Sequence, residues 1–143
     1  MTTAILPAGD YYVGDLCYTA LGSDDVWTEV CNLSWSPAGK RGEVLTLKDG
    51  REFVMLSTAY GDGSYPMVKM GYVPLVKGWL PVDSGTIGIV RWEDSEMSDD
   101  NDSGIKITFD HASQVFDCAT VEDDEDAEGF LIFGDYFVDT RAH

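Results

Sequence analysis

Basic side chains are scarce: nine lysines and arginines face 26 aspartates and glutamates in 143 residues, a formal net charge of −17. A field of that sign repels nucleic acid and anionic membranes, and attracts cations or a basic protein surface. Direct DNA or RNA binding and membrane binding are therefore disfavoured. Histidine is limited to His111 and His143, and cysteine to Cys17, Cys31 and Cys118, with no CxxC spacing. That excludes the usual zinc spacings and reads as reduced thiols in a cytosol. No apolar run approaches the roughly 20 residues of a membrane helix. The opening MTTAILPAGDYY has neither the basic flank nor the apolar core of a secretory signal. GxSxG and dinucleotide fingerprints are missing, so no cofactor is expected. The expectation is a cytoplasmic protein of one domain, 1–143.

Hydrophobic residues make up 44% and aromatics 12%, enough for a single packed core and too much for wholesale disorder. Strand signals dominate. Tyr11 to Val13 form a β-prone run after the turn pair Gly9-Asp10. Glu43–Leu47 and Arg51–Leu56 flank Lys48-Asp49-Gly50, which predicts a hairpin with a type I′ turn. Met67–Val76 is interrupted by Gly71 and Pro74 and reads as an irregular or edge strand. Thr86–Trp92 is a further strand, rich in β-branched residues.

One helix is expected over about 24–34. Ser23 is an N-cap, Asp24 and Asp25 favour the positive end of the helix dipole, and Val26, Trp27, Val30 and Leu33 share a face. Ile105, Ile107 and Phe109 alternate with polar residues and open a C-terminal meander over about 105–138. The echo GDYYV (Gly9–Val13) and GDYFV (Gly134–Val138) suggests two strands that are neighbours, or shared turn chemistry alone. The fold class is mainly β, α+β with one helix, as a compact twisted sheet or a β-barrel or roll.

The charge is uneven. Residues 1–91 carry seven bases and ten acids, whereas 92–143 carry two bases and sixteen acids. Two acidic connections stand out: Glu93, Asp94, Glu96, Asp99, Asp100 and Asp102, then Glu122, Asp123, Asp124, Glu125, Asp126 and Glu128. If 105–121 folds back on itself once, both emerge at one end of a sheet. Such a rim suits a basic protein surface, such as that of a nucleic-acid-binding protein, with Trp92 or Phe130 as an apolar anchor. Solubility alone is the simpler account.

The segments YYVGDLCYT (11–19), STAYGDGSYP (57–66), VDSGTIGIV (82–90) and FGDYFVDT (133–140) resemble a family of small uncharacterised bacterial and phage proteins. Its members carry GD-x-CY, T-x-YGDG-x-Y, VD-x-G and closing FG…DT elements. The resemblance implies a bacterial or phage, intracellular setting and carries over no catalytic assignments.

Three chemical alternatives follow from the residues. Asp15, Asp62 and Asp83, with Tyr60 and Tyr65, are a candidate pocket for a small ligand or a metal-dependent hydrolase, because clustered carboxylates hold Mg²⁺ or Mn²⁺. Each aspartate equally suits capping of its own turn. Asp99, Asn101, Ser103 and Asp110 fall at EF-hand positions 1, 3, 5 and 12, although Lys106 occupies the apolar position 8 and a strand pattern follows. A Cys–His pair from Cys17 or Cys118 with His111 has no orienting third group. Unpaired cysteines more often pack as small hydrophobes.

Overall fold

In a computed structural model, described here for residues 3–34, 42–57, 63–69, 74–98, 103–117 and 130–139, the chain is mainly β with one helix of three turns. Six strands form one antiparallel sheet: β1 (Thr3–Leu6), β5 (Gly63–Lys69), β6 (Pro74–Val82), β9 (Ser113–Asp117), β10 (Phe130–Phe133) and β11 (Tyr136–Asp139). Their order is β1-β9-β10-β11-β5-β6. The second sheet has the order β3-β4-β7-β2-β8, from β2 (Gly9–Gly14), β3 (Leu45–Thr46), β4 (Glu52–Ser57), β7 (Thr86–Arg91) and β8 (Gly104–Phe109). Among the described residues no closed barrel is formed.

The alternation of buried residues assembles these pieces into three layers. Ala4, Leu6, Tyr65, Met67, Leu80, Val115, Leu131, Phe133 and Val138 of the first sheet pack against Tyr11, Val13, Val54, Leu56, Ile87, Ile89, Ile105, Ile107 and Phe109 of the second. The opposite face of the second sheet presents Tyr12, Phe53, Met55 and Val90 to a second core. That core is closed by helix α1 (Asp24–Ser34) through Val26, Trp27, Val30 and Leu33. Strand β7 lies between the layers, which explains why Thr86 to Val90 are all buried and do not alternate. Each large side chain so enclosed contributes about 1.5–3 kcal/mol of transfer free energy.

Helix α1 begins where the cap signals place it. Trp27 N–H donates to the Ser23 carbonyl at 2.7 Å, and Asp24 and Asp25 occupy the first turn. Residues 35–41, which follow the helix, lie outside the described residues. The hairpin also forms, with Leu45 opposite Phe53 and Thr46 opposite Glu52. Its turn differs from expectation. Gly50 N–H bonds to the Leu47 carbonyl at 2.9 Å, and only Gly50 has positive φ, at 97°. This is a three-residue loop with one left-handed glycine, not type I′. Arg51 closes it by gripping Asp49 Oδ2 through Nε (2.9 Å) and Nη2 (2.6 Å).

The expected break near Gly71 separates two strands. β6 is an edge strand, and the β5–β6 register shifts between Pro66 and Val68. A proline there removes a ladder donor, which a bulge tolerates.

Two expectations about pairing are corrected. Strand β8 does not pair with β9; it pairs with β2, Gly9 to Gly14 opposite Phe109 to Gly104. Residues 110–112 carry the chain across to the other sheet, where β9 lies between β1 and β10. The meander proper is therefore β9-β10-β11, which continues onto β5. Alternation of side chains fixes which face is buried and not which strand lies alongside. The echo segments Gly9–Val13 and Gly134–Val138 are likewise not neighbours: β2 and β11 sit in different sheets. Their shared Gly-Asp marks local turn chemistry.

Candidate functional site

Asp15 and Asp83, two of the three motif aspartates, do come together. Strand β2 ends at Gly14, and Asp15 follows in an extended conformation at the start of a 3-10 turn, Leu16–Tyr18. Strand β6 ends at Val82, so Asp83 and Ser84 form the bend that leads into β7. The Asp15 side chain is fully buried and bridges the two. Its Oδ2 accepts the backbone N–H groups of Asp83 (2.7 Å) and Ser84 (2.6 Å). Its Oδ1 accepts Ser84 Oγ–H (2.8 Å) and the backbone N–H of Cys17 (3.1 Å). Asp83 then accepts the Tyr18 hydroxyl at 2.6 Å, and Ser84 Oγ lies 2.7 Å from Thr86 Oγ1.

Four donors use the lone-pair positions of the Asp15 carboxylate, so no acceptor remains to ligate a metal or take a substrate proton. Asp15 is a structural clasp between chain segments 69 residues apart in sequence. Tyr65 is fully buried in the inter-sheet core. Tyr60 and Asp62 lie outside the described residues. Among the described residues, no group of three histidine, cysteine, aspartate or glutamate side chains is placed to hold a metal ion.

The clasp also quiets its neighbouring acids. Burial pushes the Cys17 thiol up to about 12, with the Asp15 carboxylate adding to the shift. Burial and the hydrogen bond to Asp83 raise Tyr18. A thiol so protonated is a poor nucleophile at neutral pH. His111 stands exposed in the corner between the sheets, and Cys118 lies outside the described residues.

The cation-loop candidate does not assemble. Ser103 Oγ lies 3.1 Å from the Tyr12 hydroxyl, and Gly104–Phe109 is fully extended. At about 3.3 Å per residue, Asp110 stands roughly 20 Å beyond Ser103, too far to share an ion. Asp99 and Asn101 lie outside the described residues.

Of the acidic positions, Glu93 and Asp94 lie on a single helical turn, α2 (Trp92–Ser95), and Glu96 ends it with φ 55°. Burial and the nearby Glu93 carboxylate raise Asp94, while Arg51 and Arg91 oppose the shift. Trp92 is half-buried: it packs against the second core, with Lys106 Nζ 5.0 Å from its ring centroid. Asp99, Asp100, Asp102 and Glu122–Glu128 lie outside the described residues. Their connections attach to different sheets: the first leads into β8, and the second joins β9 to β10.

A feature not anticipated from the sequence is a cleft of about 80 Å³ at the seam between the sheets. Leu6, Phe53 and Val90 line it, with Glu52 and Arg91 at its polar side. The Arg91 guanidinium lies 5.7 Å from the Tyr11 ring centroid, and Tyr11 Oη donates to the Pro7 carbonyl at 2.8 Å.

Compared with known proteins, the chain matches no family model, no curated sequence and no solved structure. No described helix is long and apolar enough to cross a membrane.

Proposed function

We propose that this is a non-enzymatic acidic binding protein, of an inhibitor type, that docks a basic, nucleic-acid-binding surface of a partner protein in a bacterial or phage setting. The observation that carries the reading is the division of charge: −3 over residues 1–91 and −14 over residues 92–143. A chain that needed only solubility would gain as much from evenly spread carboxylates. Concentrated ones raise the rate of encounter with a cationic surface and stand in for phosphates once there.

The state of Asp94 supports this. A carboxyl held above its usual range by burial and by Glu93 is relieved when a cationic group approaches, so partner binding and its ionisation favour one another. The clasp at Asp15 works against the catalytic alternative, because its acceptors are already used within the fold. The protein works, on this reading, as a rigid frame that presents acidic connections.

The test is capture of partners from the encoding organism at about 50 mM and about 500 mM salt, followed by titration of the purified pair. A partner whose affinity falls steeply with salt supports the reading. A partner held equally at both concentrations removes it.

A further inference from the structure

Edge strands with an open side are sites where another chain can add a strand. Strand β1 is such an edge: β9 pairs along one side of it, and among the described residues no strand pairs along the other. It carries none of the usual protection by lysine, internal proline or a bulge. Its central residue, Ile5, is 62% exposed, and it is the only large hydrophobic side chain so exposed among the described residues. The seam cleft opens directly beside it and is lined by Ile5 and Leu6 on the β1 side and by Tyr11 and Val44 on the other. Glu52 stands exposed at the cleft and makes no ion pair among the described residues. Arg91, across from it, is held over the Tyr11 ring.

We propose that the free edge of β1 and the adjoining cleft receive an extended segment of the basic partner. The segment adds backbone hydrogen bonds to β1, lays one aliphatic side chain beside Ile5, and sets the next residue, a lysine or arginine, into the cleft by Leu6, Val44 and Glu52. This rests on the acidic-binding reading above and supplies what that reading needs, since exposed ion pairs contribute little by themselves. Charge selects the occupant: a second copy of a chain with net charge −17 is repelled, whereas a basic segment is attracted.

The experiment uses the full chain and three labelled peptides of about eight residues: alternating lysine and valine, alternating lysine and serine, and alternating serine and valine. Binding is read by fluorescence anisotropy at low and high salt and by amide shifts in NMR spectra. The expected result is that the lysine–valine peptide binds most tightly and shifts the amides of Thr3–Leu6. Ile5→Ser, at an exposed position that leaves folding intact, should weaken that peptide about tenfold and leave lysine–serine binding unchanged. Glu52→Gln should flatten the salt dependence for the same peptide. If the two lysine peptides bind equally and Ile5→Ser changes neither, the cleft proposal is overturned while charge-led docking stands. If the serine–valine peptide binds as well as lysine–valine at every salt concentration, charge-led docking is overturned while the cleft stands. Failure of all three peptides at low salt overturns the cleft proposal.

Discussion

Asp15 Oδ2 accepts the backbone N–H of Ser84 at 2.6 Å, and so fixes the end of β2 in one sheet to the end of β6 in the other. The carboxylate is fully buried and satisfied four times over. Hydrogen bonds to an ionised acceptor contribute about 1.5–3 kcal/mol each, and a donor left unpaired in the interior costs a further penalty.

Asp15→Ala should therefore destabilise the protein by roughly 3 kcal/mol or more. Asp15→Asn should cost less, about 2 kcal/mol, because its carbonyl oxygen keeps acceptor sites while its amide group meets donors. Urea unfolding followed by tryptophan fluorescence measures both. A loss under 1 kcal/mol for Asp15→Ala would show that the clasp is incidental. If the same variant instead retained full stability and lost a small-molecule binding activity, Asp15 would belong to a functional site after all.

The alkaline limb of stability should bear the mark of the same region. Cys17 is raised from 9.0 to about 12 in the folded chain, chiefly by burial. A raised acid favours the folded state below its unfolded value and loses that support as pH climbs. Stability should hold up to about pH 9 and fall between there and pH 12, with Tyr18 and Tyr12 adding to the decline above about pH 10. Cys17→Ala should make the decline shallower. The thiol should also react with a disulfide reagent far more slowly in the native chain than in urea at pH 8. Equal rates would mean that Cys17 is neither protonated nor shielded.

Gly88 sits where β7 meets the 3-10 turn after β2. A Cβ there would stand 2.6 Å from Leu16 Cδ1 and 2.9 Å from the Val54 carbonyl oxygen. Backbone cannot yield as a side-chain tip can, so Gly88→Ala should cost about 1–3 kcal/mol. Adding Leu16→Ala should recover little of it, because the carbonyl contact remains. Full rescue in the double variant would show that only the leucine clash matters.

The elements legible in the sequence are those whose signals are local. Helix α1 was marked by Ser23, two acids and a four-residue apolar face, all within eleven positions, and its bounds agree with 24–34. The turn at Lys48–Gly50 was locatable because glycine announces a positive φ, but its type depends on how many residues need one. β8 showed its buried face through Ile105, Ile107 and Phe109 and gave no sign of its partner, which lies some 90 residues earlier in β2. Pairing is set by the packing of whole layers and leaves no mark on an isolated strand. For the same reason Asp15 read as a cap for its own turn, while its main partners are Asp83 and Ser84. The cleft beside Ile5 was invisible, since an isoleucine in a strand of four says nothing about whether that strand is an edge.

The acidic connection itself separates docking from solvation. Asp123, Asp124 and Glu125 belong to a run of six carboxylates in seven positions between β9 and β10. Like charges so close repel one another, and a cationic partner relieves that repulsion in proportion to the charges it meets. Replacing all three with serine should leave the unfolding midpoint within about 0.5 kcal/mol of the parent, or raise it slightly. The same change should lower the association rate with a basic partner by about tenfold at low salt and flatten its salt dependence, with a smaller effect on dissociation. Stopped-flow association across a salt series reads all three quantities. Unchanged association with a more aggregation-prone variant would assign the run to solubility, and the docking reading would then have to stand on the β1 cleft alone.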